Sequence, residues 1–153
     1  MNPYNNYQEN QVLTASPERI LLMLYDGAIR FTRQAIAGIE NKNLTQQHRG
    51  IKNVMAIITE FANSLDHKVG GKIAEDLAAL YGFMNRELLA ANLNKDVEKL
   101  RGVERLLMNL RETWGEAVET NRQEKLIANR VVAVASATNG AMNKSYAPFS
   151  VSG

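Results

Sequence analysis

The chain contains no cysteine, three prolines and two histidines in 153 residues. Without cysteine there is no disulfide, no thiol nucleophile, no Cys-ligated zinc and no iron–sulfur cluster. With His48 and His67 as the whole histidine complement, a three-histidine metal site cannot form within one chain. The prolines stand at 3, 17 and 148, so the stretch between the last two is free of the strongest helix breaker. Charge of one sign is also scarce. Eighteen Lys and Arg against 16 Asp and Glu leave a net charge of +2, too little for a global field that would hold nucleic acid or an anionic membrane. No basic segment followed by an apolar core opens the chain, and no apolar run approaches the roughly 18 residues of a membrane span. The expectation is a soluble cytoplasmic protein with no membrane insertion and no nucleic-acid partner.

What is present is helical periodicity. Ser16-Pro17-Glu18 places an N-cap, a proline at the first helical position and a carboxylate at the positive end of the dipole, which predicts a helix start. A second helix is predicted from near Thr45, with Ile51, Val54, Met55, Ile58, Phe61, Ala62 and Leu65 on one stripe. A third follows Gly70-Gly71, with Ile73, Leu77, Leu80, Tyr81, Met84, Leu88 and Ala91 on one face. A fourth starts at the Asp96 cap and carries Leu100, Val103, Leu107, Leu110 and Trp114 at steps of 3 and 4. Short connections force antiparallel neighbours, so the expected fold is all-α: an antiparallel up-down-up-down four-helix bundle. Residues 1–15, rich in Asn and Gln, read as an N-terminal arm, 16–118 as the bundle and 119–153 as a basic tail. Leu126, Ile127, Val131 and Val134 leave room for a fifth C-terminal helix, and the chain from Ser136 onward reads as loose. The tail carries the whole charge excess, with Arg122, Lys125, Arg130 and Lys144 against Glu119 and Glu124.

The first helix is too apolar for one buried face. Between Ile20 and Ile39, 13 of 20 residues are apolar or Tyr, where a single face needs about nine. One stripe runs through Leu21, Tyr25, Ala28, Ala35 and Ile39, and another through Leu22, Ile29 and Ile36. Either this helix is central and touches several others, or it lines a groove filled by the arm (Tyr4, Tyr7, Val12, Leu13) or by a partner peptide.

Chemistry is harder to find. Gly70-Gly71-Lys72 fails as a phosphate loop, because Asp66 stands where the first Gly belongs and Ile73 where Ser or Thr belongs. No Glu-x-x-His step precedes either histidine, so the di-metal pattern of helical bundles is missing. His48, His67, Asp66 and Asp76 read as surface groups. Arg101, Arg105 and Arg111 interleave with Glu98, Glu104 and Glu112, which reads as a solvated salt-bridge face. Asn43-Leu44-Thr45 is a chance sequon without a secretory signal. No nucleophile has a base, so a non-enzymatic binding protein without cofactor or metal is expected.

Several words of the sequence, in order, resemble one family: Tyr7-Gln8, Thr14-Ala15-Ser16-Pro17, Leu24-Tyr25-Asp26-Gly27, Gly70-Gly71, Leu80-Tyr81, Ala91-Asn92 and Trp114. Over about residues 3–118 the chain resembles the flagellar export chaperones of the FliS family. The resemblance implies a cytosolic helical bundle that binds the disordered C-terminal segment of flagellin, prevents premature polymerisation and supports delivery to the flagellar type III export gate. It also implies an arm that covers part of the flagellin groove, with Tyr7 and Val12 as its groove-facing residues. On this reading the candidate groove comprises Leu22, Tyr25, Asp26, Ile29, Tyr81 and Asn92 beside those arm residues. Asp substitution at Tyr25 or Ile29 is then expected to weaken binding while sparing helicity. The alternative is a helical structural or oligomeric adaptor without chaperone activity. Residues after Trp114 match no family motif.

Overall fold

The computed structural model describes residues 16–142. They form four helices: α1, Pro17–Glu40; α2, Leu44–Asn63; α3, His67–Asn94; and α4, Val97–Met142. Connections of two or three residues join them, so successive helices run antiparallel and the fold is the all-α up-down-up-down bundle expected. The caps are local chemistry. Ser16 Oγ accepts from Arg19 N, Asn43 Oδ1 from Gln46 N, Asp66 Oδ1 from Lys68 N and Val69 N, and Asp96 Oδ1 from Glu98 N and Lys99 N. Each cap satisfies backbone donors that the first helical turn leaves unpaired.

The stripe expected on α2 is the buried one, with Ile51, Val54, Ile58 and Phe61 in the core. Leu100, Val103 and Leu107 of α4 join it, together with Tyr81, Met84, Leu88 and Ala91 of α3. The break expected at the glycine pair of α3 is present, and two details differ: where the helix begins and how Ile73 is placed. The helix begins at His67, before the glycine pair, and it breaks at Gly71, whose φ of 52° and ψ of −123° only glycine adopts without strain. Just past the break, Ala74 is buried whereas Ile73, expected on the buried face, is 71% exposed. A third difference concerns α4. The fifth stretch expected around Leu126, Ile127, Val131 and Val134 is helical but continuous with α4, and the helix runs on through Ser136, expected to be loose, to Met142; residues 143–153 lie outside the described residues. Glu116, Ala117, Glu119 and Arg122 are good helix formers that carry the backbone past one glycine, and Arg122 adds an i,i+3 bond to Glu119 at 2.8 Å.

The chain divides into two compact units, Met1–Thr113 and Trp114–Gly153. Within the first, α1 and α2 pack with their backbones almost touching. A Cβ at Gly50 would lie 2.7 Å from the Phe31 carbonyl oxygen and the Ala35 nitrogen, and one at Gly38 would strike the Gln47 nitrogen. No side chain fits in that seam.

Helix α4 is joined to α1 differently. Asp26, Arg33 and Glu40 stand seven residues apart on α1, alternating in sign. Arg111 donates to Asp26 at 3.0 Å, Arg33 to Glu104 at 2.8 Å and Arg101 to Glu40 at 3.1 Å. The order along α4 is reversed, as an antiparallel pair requires. Sliding either helix by one heptad would oppose like charges, so the ladder specifies register even though exposed pairs stabilise little individually. The interleaved charges of α4 are therefore not a purely solvated face; three of them reach across to α1.

Candidate functional site

The surplus on α1 is largely absorbed by its neighbours. Its small residues Ala28, Ala35 and Gly38 are buried, and Tyr25 reaches across to α3. The central-helix reading therefore accounts for most of the excess. What remains uncovered lies in the first two turns. Leu21 and Leu24 pack against the core, while Ile20, Leu22 and Met23 are half-buried.

The expected site residues do not form one surface. Tyr25 and Tyr81 are core residues, their hydroxyls 3.2 Å apart, and Phe61 lies between them with ring centroids at 4.5 Å and 5.7 Å. Burial pushes the Tyr81 hydroxyl above its ordinary pKa, an effect partly countered by its hydrogen bond with the Tyr25 hydroxyl. Ile29 is buried as well. Asp substitution at Tyr25 or Ile29 would thus bury a charge, and the expectation that such variants keep native helicity is corrected here. Asn92 stands 11 residues from Tyr81 along α3, about 16 Å. There it accepts from the buried Gln47 Nε2 through its carbonyl oxygen at 3.0 Å and its Oδ1 at 2.9 Å, a tie between α2 and α3. Asp26 is exposed in the ladder with Arg111. Leu22 alone among the described candidates offers apolar surface. Tyr7 and Val12 lie outside the described residues.

A different feature was not anticipated. Between α3 and α4 is a groove of about 300 Å³. Phe83, Gly102, Val103 and Leu106 supply its apolar lining, and Glu87, Glu98, Lys99 and Arg105 its polar edge. Lys99 Nζ donates to Glu87 Oε2 at 3.1 Å and spans it. Phe83 is 43% exposed, and further along α3 Leu89 and Leu93 are 53% and 78% exposed. All three fall off the Tyr81/Met84/Leu88/Ala91 face. That misfit is the signal by which the sequence could have announced a second apolar surface on α3.

Among the described residues no group of three His, Asp or Glu is placed to hold a metal ion, and no helix is long and apolar enough to cross a membrane. His48 and His67 are exposed. Asp76 pairs with Lys72 at 2.9 Å on the surface. The arrangement suits binding of an extended or helical apolar segment, with a few charges to orient it.

A sequence model of the family described as flagellar protein FliS matches residues 1–121. The flagellar secretion chaperone FliS of Bacillus subtilis is 32% identical over 124 residues, which span 81% of this chain and 92% of that one. Its counterpart in Campylobacter jejuni is 34% identical over 113 residues, 74% of this chain and 88% of the relative. That of Salmonella typhimurium is 36% identical over 107 residues, 69% and 79% respectively.

Proposed function

This chain belongs to the FliS family of flagellar proteins, and from that premise we propose that it is a cytoplasmic export chaperone for flagellin. It holds the disordered C-terminal segment of flagellin, prevents premature polymerisation and supports delivery to the type III export gate, and it does so without catalysis or cofactor. The observation that carries the reading is apolar surface left over after the core is complete: Phe83, Leu89 and Leu93 on α3, with the groove beside α4. A disordered segment loses conformational entropy on binding and must cover much apolar surface to be held, so several such patches suit it better than one deep pocket. The half-exposed Ile20, Leu22 and Met23 at the start of α1 form a second patch, adjacent in sequence to the arm at residues 1–15. On this reading Tyr7 and Val12 compete with flagellin for apolar surface, which lowers apparent affinity by the fraction of time they occupy it.

Calorimetry with a flagellin C-terminal peptide tests the proposal. The full chain is expected to bind with a negative heat-capacity change, Phe83→Asp to bind more weakly with unchanged helicity, and a variant lacking residues 1–15 to bind more tightly. Absence of binding by the full chain and the shortened variant alike would contradict it.

A further inference from the structure

Helix α4 outruns the family. The match ends at residue 121, yet the helix runs on to Met142. Its continuation is poorly suited to stand alone. Val131, Val132, Thr138, Asn139 and Gly140 dilute the strong helix formers Ala128, Ala133, Ala135 and Ala137, and a single helix of about 20 such residues draws most of its stability from packing an apolar face. That face is exposed. Ala117, Thr120, Glu124, Ile127 and Val131 recur at steps of 3 and 4 on one exposed stripe, with Ile127 59% and Val131 60% exposed. This is the spacing of a two-helix seam.

The charge along the same helix is split. Residues 116–124 hold Glu116, Glu119 and Glu124 against Arg122, whereas from Lys125 to the end there is no Asp or Glu at all. A parallel pairing of two such helices would set acidic half against acidic half. An antiparallel pairing sets acidic against basic, and an isologous two-fold contact makes the match twice.

We propose that the extension of α4 is a self-association surface whose occupant is the same helix of a second copy, running antiparallel with the two-fold axis at Ile127. Ile127 then meets its own counterpart, and Glu124 of each copy lies opposite Arg130 of the other.

Sedimentation of the full chain over a range of concentrations tests this, with a dimer expected at twice the 17.1 kDa of the monomer. Ile127→Asp is expected to raise the dimer dissociation constant by about a hundredfold or more. Glu124→Arg and Arg130→Glu are each expected to raise it by about fivefold, with the double reversal restoring it. Because the chain has no cysteine, Ile127→Cys gives an independent reading that does not depend on how the Asp variant folds: oxidation should link two copies. Thr120→Cys should not link to itself, because the antiparallel register sets the two copies of this residue about 20 Å apart along the helices. A monomer at every concentration, or a dimer indifferent to Ile127→Asp, would overturn the proposal. Reversals that the double variant fails to rescue, or Thr120→Cys linking to itself, would overturn the antiparallel register. Flagellin-peptide binding by Ile127→Asp is expected to match the unaltered chain, so this failure and failure of the chaperone reading are read separately.

Discussion

At Gly38 and Gly50 the backbones of α1 and α2 come so close that no side chain fits between them, whereas α4 is held to α1 and α3 by the reach of side chains. The first seam derives its tightness from what is missing, two Cβ atoms. The second sets long arms at the margin of the buried Leu100, Val103 and Leu107: Arg33, Arg101, Arg111 and Lys99, each ending in a carboxylate partner. A glycine seam fixes distance and tolerates no insertion. A seam of long polar side chains fixes register and leaves distance adjustable. The groove lined by Phe83 and Leu106 lies at the second kind, beside the Lys99–Glu87 pair.

Tyr25→Asp gives the largest expected effect. A carboxylate at a site with no solvent exposure costs more than about 3 kcal/mol, and the thermal unfolding transition should lose its cooperativity. Tyr25→Phe, which removes the hydroxyl that bonds Tyr81 but keeps the buried ring, should keep it.

Matched glycine substitutions come next and test the contrast between seams directly. Gly50→Ala should lose about 2 kcal/mol, because backbone atoms at 2.7 Å cannot move aside and the gain in helix propensity, about 1 kcal/mol, does not offset the clash. Gly102→Ala, on the groove side of α4, meets nothing closer than the Arg105 guanidinium at 3.9 Å and should gain up to about 1 kcal/mol. Urea denaturation midpoints read both, and a loss of equal size at the two positions would erase the distinction.

A pH effect follows from Tyr81. Its hydroxyl is held neutral by burial, with its folded pKa above that of the unfolded chain, so its contribution is complete below about pH 10. As pH rises from there through the folded value, the unfolded chain releases a proton that the folded one retains, and stability falls. Tyr81→Phe should flatten that decline in urea midpoints measured between about pH 9 and 11.

The smallest effect belongs to the ladder. Asp26→Arg or Arg111→Asp should each cost less than about 1 kcal/mol, and the double exchange should recover most of it. Recovery in the cycle would identify a register device; additive losses would reduce the ladder to surface charge.

The stripe on α2 and the caps at Ser16 and Asp96 were legible in the sequence because they are local: one helix's periodicity, or one side chain and the two amides that follow. The surplus on α1 was visible as an excess, but periodicity counts faces and does not say what covers them. Tyr25, Tyr81 and Asn92 stood out as family words, and the same words would arise from a core contact as from a binding contact. The structure places the first two in the core and the third in a tie to Gln47. Ile73 falls on the α3 stripe by spacing yet is 71% exposed: it stands two residues past the break at Gly71, and periodicity names a face without saying what covers its end. The α3–α4 groove depends on the distance between two helices, a quantity that neither helix's pattern encodes. The ion-pair ladder is half legible in retrospect: Asp26, Arg33 and Glu40 at strict heptad spacing, answered in reverse order by Arg101, Glu104 and Arg111.

Hydrogen exchange of the full chain, with and without a flagellin C-terminal peptide, tests the central claim most directly. Peptide is predicted to slow exchange in the segments around Phe83–Leu93 and Lys99–Leu106 and to leave the Phe31–Gly50 seam unchanged. Protection confined to the glycine seam, or no protection anywhere at saturating peptide, would contradict the account.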